Sequence, residues 1–212
     1  MQYYIHSFHS WRDTFLFALA AVLGAGCQSS RTESVVVEVA PAPAAVQTPA
    51  VTAASPSVTP AARTAIRINA GGTTGITNSM GGVWLPDQGF TGGATTSRAA
   101  DLPIANTQDA AIYRTEHFGM TAFSRELPNG AYTVKLHFAE TYDGVSAAGQ
   151  RVFSFNVEGK EFADFDVFAK AGGARRAYVE TVTANVADGK LDITFTSRVQ
   201  NPAINGIEII PR

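Results

Sequence analysis

Beyond residue 64, apolar side chains recur at every second position along most of the chain. In Tyr132–Tyr142 (YTVKLHFAETY), Tyr132, Val134, Leu136 and Phe138 alternate with Thr133, Lys135, His137 and Ala139. A period of two belongs to a β-strand with one face in a core and one toward water. This strand carries Glu140, Thr141 and Tyr142 at its tip and breaks at Asp143-Gly144, so a stiff scaffold delivers a carboxylate and an aromatic ring to a loop. Further strands are predicted over Ala65–Ala70, Ala111–Phe118, Phe123–Leu127, Arg151–Val157, Phe162–Phe168, Tyr178–Val186, from Leu191 through Phe195 to Thr196, and Ile204–Ile210. Pro128-Asn129-Gly130, Glu158-Gly159-Lys160 and Asp188-Gly189 supply turns between them. Residues 71–110 are glycine-rich and read as a long loop holding Trp84, a core candidate, with Asp87 and Phe90. Many short strands without a helical period predict an all-β domain over 65–212, an antiparallel β-sandwich or jelly roll.

The pattern upstream is of another kind. Phe15–Gly26 is an apolar run of 12 residues ending in small side chains, followed by Cys27, the single cysteine. A run this short suits the apolar region of a signal peptide, whereas a membrane-spanning helix needs about 20 apolar residues. Leu23-Gly24-Ala25-Gly26-Cys27 is similar to a bacterial lipobox, with Leu23 one position further from the cysteine than usual. The expectation is a signal peptide over 1–26 and lipidation at Cys27. By resemblance to Gram-negative lipoproteins, Gln28 in place of aspartate implies anchoring in the outer membrane at the cell envelope. Residues 27–64 are rich in Ala, Pro, Thr, Ser and Val, carry no aromatic residue, and read as a disordered tether.

Composition narrows the chemistry. A net charge of -2 without a Lys/Arg cluster points away from nucleic acid. His6 and His9 lie in the signal segment, and His117 and His137 lack metal-ligand spacing. Neither a nucleophile elbow nor a nucleotide loop is present. Asp87, Glu116, Glu140 and Asp143 are the carboxylates available for a glycosidase pair, though such a pair needs a defined separation that sequence does not fix. Asp164 and Asp166 supply two oxygen ligands for calcium, where three or more are wanted, so no metal or cofactor is expected. What remains is a set of aromatic and polar groups on loops, suited to the apolar faces and hydroxyls of a sugar: Phe90, Phe118 and Tyr142, with Glu140, Asp143, Gln200 and Asn201.

Five segments in order, INAGG (Ile68–Gly72), IYRTEHFG (Ile112–Gly119), Pro128–Tyr142, QRVFSFNVEG (Gln150–Gly159) and NPAINGIEI (Asn201–Ile209), together resemble the malectin domain. That resemblance implies a non-catalytic β-sandwich whose loop aromatics and an aspartate hold carbohydrate. Tyr142 matches the tyrosine after the Phe-Ala-Glu motif, and Asp143 stands where the family has a second aromatic. Phe118 keeps a ring and loses a hydroxyl, Phe90 is matched to the aromatic of the long loop, and Gln200 stands in place of the aspartate. The expected partner is an oligo- or polysaccharide. A structural or protein-interaction module that has lost sugar binding and a hydrolase of unrecognised type are the alternatives.

Overall fold

The computed structural model describes residues 64–212; the expected signal segment, Cys27 and the tether through residue 63 lie outside the described residues. In chain order the elements are β1 (Ile66–Asn69), β2 (Ile76–Thr77), β3 (Val83–Trp84), β4 (Phe90–Ser97), α1 (Ala110–Tyr113), β5 (Thr115–Glu126) and β6 (Gly130–Phe138). They continue with β7 (Val152–Val157), β8 (Lys160–Phe165), α2 (Val167–Ala171), β9 (Tyr178–Val186), β10 (Lys190–Val199), β11 (Ala203–Ile204) and β12 (Gly206–Pro211).

Two antiparallel sheets form the domain. One has the order β1-β12-β6-β9; the other runs β11-β5-β10-β7-β8, with β4 also paired to β5. The alternation that predicted β6 sets its register: Val134 faces Val182 on β9 and Ile209 on β12, and Leu136 faces Glu180 and Ile207. The inward positions of both sheets meet in one core, where Val134, Leu136, Phe138 and Val182 from the first pack with Phe123, Phe153, Phe155 and Ile193 from the second. Phe138 and Phe165 rings lie 4.9 Å apart and Phe153 and Phe165 5.6 Å apart, contacts each worth about 0.5–1.5 kcal/mol beyond the area they bury. This is the all-β antiparallel sandwich that the alternation predicts.

Four expectations are corrected. The strand expected over Ile204–Ile210 is two, because Ala203–Ile204 pairs with β5 in one sheet and Gly206–Pro211 with β1 and β6 in the other. The stretch 71–110 is not one loop: it holds the β2–β3 hairpin and the eight-residue β4, paired with β5 from Phe90↔Phe123 to Ser97↔Thr115. Ala111–Phe118 is not a strand from its start, because Ala110–Tyr113 forms a helical turn; β5 then runs unbroken through Gly119-Met120. The strand expected over Phe162–Phe168 ends at Phe165, where Asp166 caps α2 by accepting from the Ala169 amide at 3.0 Å. Trp84 is buried, as expected, in a smaller cluster with Ile104, Ile112 and Tyr113. Its ring presses on Gly206, where a Cβ would lie 2.8 Å from the indole.

Candidate functional site

A cavity of about 350 Å³ opens beside the paired β4 and β5. Alternation along β5 sends Glu116 and Phe118 to its wall and turns His117 to the opposite face. Thr96, in register with Glu116, and Arg98 just past β4 add a second side. Tyr142 arrives from the loop after β6, and Arg151 from the residue before β7. Gln200 and Asn201 come from the turn between β10 and β11. That turn is held against β5 by the Gly119 amide donating to the Pro202 carbonyl at 2.8 Å and by the Phe118↔Ala203 pairing. Gln200 adopts a φ of 62°, in the left-handed region that few residues other than glycine enter.

Beneath the rings lies a network of ion pairs. Arg151 Nε donates to Glu140 Oε2 at 2.7 Å, with side chains 6% and 2% exposed, and its Nη1 donates to the Asn201 carbonyl at 2.6 Å. Arg98 donates from Nη2 to Glu116 Oε1 at 3.1 Å and from Nε to Thr141 Oγ1 at 3.0 Å. Thr141 in turn donates to Glu116 Oε2 at 3.0 Å. Burial pushes the Glu140 carboxyl above its ordinary value; Arg151 and the Tyr142 amide pull it down, and the neighbouring Glu116 charge pushes it up again. The two guanidiniums therefore hold two mutually repelling carboxylates inside the protein.

The structure brings Tyr142, Phe118, Gln200 and Asn201 together on one cavity and leaves Glu140, Asp143 and Phe90 off its wall. Glu140 is buried behind Arg151 and reaches back to the Tyr142 amide at 3.0 Å, so it shapes the loop rather than facing a ligand there. Asp143 pairs with Arg175 at 2.8 Å on a second, shallower depression of about 340 Å³ that shares Tyr142 with the first. Phe90 is half-buried against the core: its ring stacks on His117 at 4.3 Å and packs on Phe123 at 5.1 Å. Thr96, Arg98 and Arg151 were not anticipated. The sequence does carry a signal for one of them. Arg151 is in phase with Phe153, Phe155 and Val157, and Glu140 with Val134, Leu136 and Phe138; charges on the core phase of successive strands demand a buried partner.

Two further polar clusters lie elsewhere. His117 Nδ1 sits 3.0 Å from Asp87 Oδ1 and Nε2 2.9 Å from the Gly92 carbonyl. Both partners only accept, so the doubly protonated ring satisfies both. Burial lowers the His117 pKa, but the Asp87 and Gly92 contacts outweigh it and the net shift is upward. Across the molecule, Tyr113 Oη meets His137 Nδ1 at 2.8 Å, His137 Nε2 meets Glu208 Oε1 at 3.0 Å, and Arg67 Nε donates to Glu208 Oε2 at 2.8 Å. The carboxylate holds a hydrogen on Nε2, and Nδ1 faces the tyrosine hydroxyl. The two acids weighed for calcium are otherwise engaged: Asp166 caps α2 and Asp164 pairs with Arg198. Among the described residues no group of three or more His, Cys, Asp or Glu could hold a metal ion.

Similarity to known proteins agrees with the fold. The model of the malectin domain matches residues 64–207. A probable leucine-rich repeat receptor-like serine/threonine-protein kinase of Arabidopsis thaliana is 32% identical over 127 residues, covering 56% of this chain and 12% of its own length. Receptor-like protein 4 of the same plant is 36% identical over 84 residues, covering 39% and 13%. The chain thus spans about an eighth of these relatives. Among solved structures, Bacteroides uniformis beta-glucuronidase superposes with a TM-score of 0.64 at 22% identity, over 70% of this chain and 18% of that one. The ANXUR2 extracellular domain of Arabidopsis thaliana gives 0.61 at 18% identity, over 69% and 48%. At such identities the likeness concerns the fold. With the family model covering most of the chain, the protein belongs to the malectin-domain family.

Proposed function

We propose that the domain binds carbohydrate, without catalysis, in the cavity between β4–β5 and the loops after β6 and β10. The observation that carries this reading is the convergence of two aromatic side chains, Phe118 and Tyr142, with the amides of Gln200 and Asn201 and two guanidiniums on one wall. Tyr142 is 47% exposed, an aromatic surface available to a sugar's apolar face, while the polar groups match its hydroxyls. A non-catalytic role is supported by the carboxylates: Glu140 is buried behind Arg151 and Glu116 is held by Arg98 and Thr141, whereas a glycosidase pair must reach the scissile bond from both sides.

The same proposal places the domain at the cell envelope, tethered by 27–64 and lipidated at Cys27. Cys27→Ser should abolish lipid labelling and release the protein from membranes; a variant that stays membrane-bound refutes the anchor.

For the domain, the test is a glycan array probed with the full chain beside Tyr142→Ala and Phe118→Ala. Binding of a defined set of sugars that both variants lose is the expected result. A folded protein that binds none of them refutes the reading and points to a protein-interaction module. The exposed Asp143–Arg175 pair, standing where the family has an aromatic, is the feature that favours that second reading.

A further inference from the structure

We infer that the cavity selects a sugar bearing a carboxylate, a uronic acid residue, over its neutral counterpart. The inference rests on the carbohydrate-binding reading of the same site.

Its basis is the imbalance of hydrogen-bonding groups on the wall. A guanidinium carries five N–H donors in a planar fork. Arg98 directs two of them to Thr141 and Glu116, and Arg151 directs two to Glu140 and the Asn201 carbonyl. Each arginine therefore keeps three donors without a protein acceptor among the described residues, and both line the cavity. The carboxylates beside them are already engaged. Both oxygens of Glu116 already accept, one from Arg98 and one from Thr141. Glu140 is covered by Arg151 and the Tyr142 amide. A ligand entering here meets a surplus of cationic donors held rigid by buried partners.

A planar carboxylate suits such a surface. It presents two oxygens with paired lone pairs, the geometry a guanidinium fork engages with two parallel bonds, and charge-assisted bonds of this kind are about twice as strong as neutral ones. A hydroxymethyl group at the same ring carbon accepts more weakly and brings a donor that the fork cannot use. Rigidity adds to the preference, because Arg151 is fixed from two sides and Arg98 is clamped by Thr141 and Glu116. Phe118 and Tyr142 would receive the ring face, which a uronic acid shares with its neutral analogue. The aromatics thus provide sugar binding as such, and the arginines the discrimination.

The test compares matched probes. The full chain is titrated calorimetrically with α- and β-linked oligomers of glucuronic acid and with the same oligomers after reduction of each carboxyl to a hydroxymethyl. The expected result is tighter binding of one acidic series by about tenfold or more. In Arg98→Gln that preference should shrink toward unity, while Arg98→Lys, which keeps the charge and loses the fork, should fall between. Circular dichroism of each variant establishes that it is folded. Equal or tighter binding of the reduced oligomers overturns the inference and leaves the carbohydrate reading standing. An acidic preference that Arg98→Gln leaves intact also overturns it, because the arginine then does not read the carboxylate. Failure of the folded protein to bind either series, or any neutral glycan of the array, overturns both.

Discussion

Two polar networks pass through this sandwich, and they are built differently. In the Tyr113–His137–Glu208–Arg67 chain each link meets the next, hydroxyl to imidazole to carboxylate to guanidinium. It ties α1 to β6, β12 and β1 and lines no described cavity. In the Arg98–Glu116 and Arg151–Glu140 pairs the carboxylates are satisfied while the guanidiniums keep donors in hand at a cavity wall. The first network ends at Arg67, away from that cavity, and ties elements of the fold together. The second keeps its unpartnered guanidinium donors at the cavity wall, so the contrast lies in where those donors sit.

The comparison can be broken most forcefully at its buried ion pair. Arg151→Met strips Glu140 of its partner and should destabilise the domain by roughly 3–5 kcal/mol in a denaturant titration, whereas replacing both residues by apolar ones should recover much of that loss. A single-variant loss under about 1 kcal/mol would mean that the pair is not buried as described.

The Tyr113–His137–Glu208–Arg67 chain makes the next prediction. Its hydrogen bond with His137 holds the Glu208 carboxyl down at about 2, against burial and with help from the His137 and Arg67 contacts. A carboxyl lowered on folding adds stability that is present above its unfolded value near 4.5 and is lost as pH falls toward 2. Between those limits the protein should lose roughly 3 kcal/mol from this group. Glu208→Gln should show a similar loss at neutral pH and no longer share that part of the acid dependence.

His117 carries the opposite sign and a smaller effect. Its pKa is raised on folding, so its stabilisation is complete below the ordinary value of 6.5 and fades as pH rises through the folded value. Thermal melts from pH 5 to 9 should show this decline, and His117→Gln should flatten it. Because the ring clasps Asp87 and the Gly92 carbonyl from the face opposite the cavity, sugar affinity should follow the same pH course only weakly.

The least disruptive change acts on the ligand side alone. The Tyr142 ring lies against Gly144, where a Cβ would collide with Cε1 of the ring. Gly144→Ala should push the ring aside, leaving stability within about 0.5 kcal/mol while lowering sugar affinity. Unchanged affinity would show that the ring's position is immaterial.

The strands that alternate were legible in the sequence because one face of each is committed to the core; β6, β7, β9 and β10 are of this kind. β4 was not, since FTGGATTS is an exposed strand whose glycines and threonines carry no apolar period, and its pairing is decided by β5. The helical turn at Ala110–Tyr113 is too short to show a helical period. At the site, Tyr142, Phe118 and Gln200 could be placed from motif and loop position. Phe90 could not, because the choice between ligand and core depends on the His117 ring it stacks upon. Glu140 was read as a ligand group although its parity with Phe138 puts it on the core side, where Arg151 meets it.

The most direct test of the account is to map where a sugar binds. Backbone amide resonances of the full chain are followed while an array-positive oligosaccharide is added. The account predicts shifts concentrated at Thr96, Arg98, Glu116, Phe118, Tyr142 and Gln200–Asn201, with Tyr113, His137 and Glu208 unmoved. Shifts centred away from that cavity, or on the Asp143–Arg175 depression alone, would contradict it.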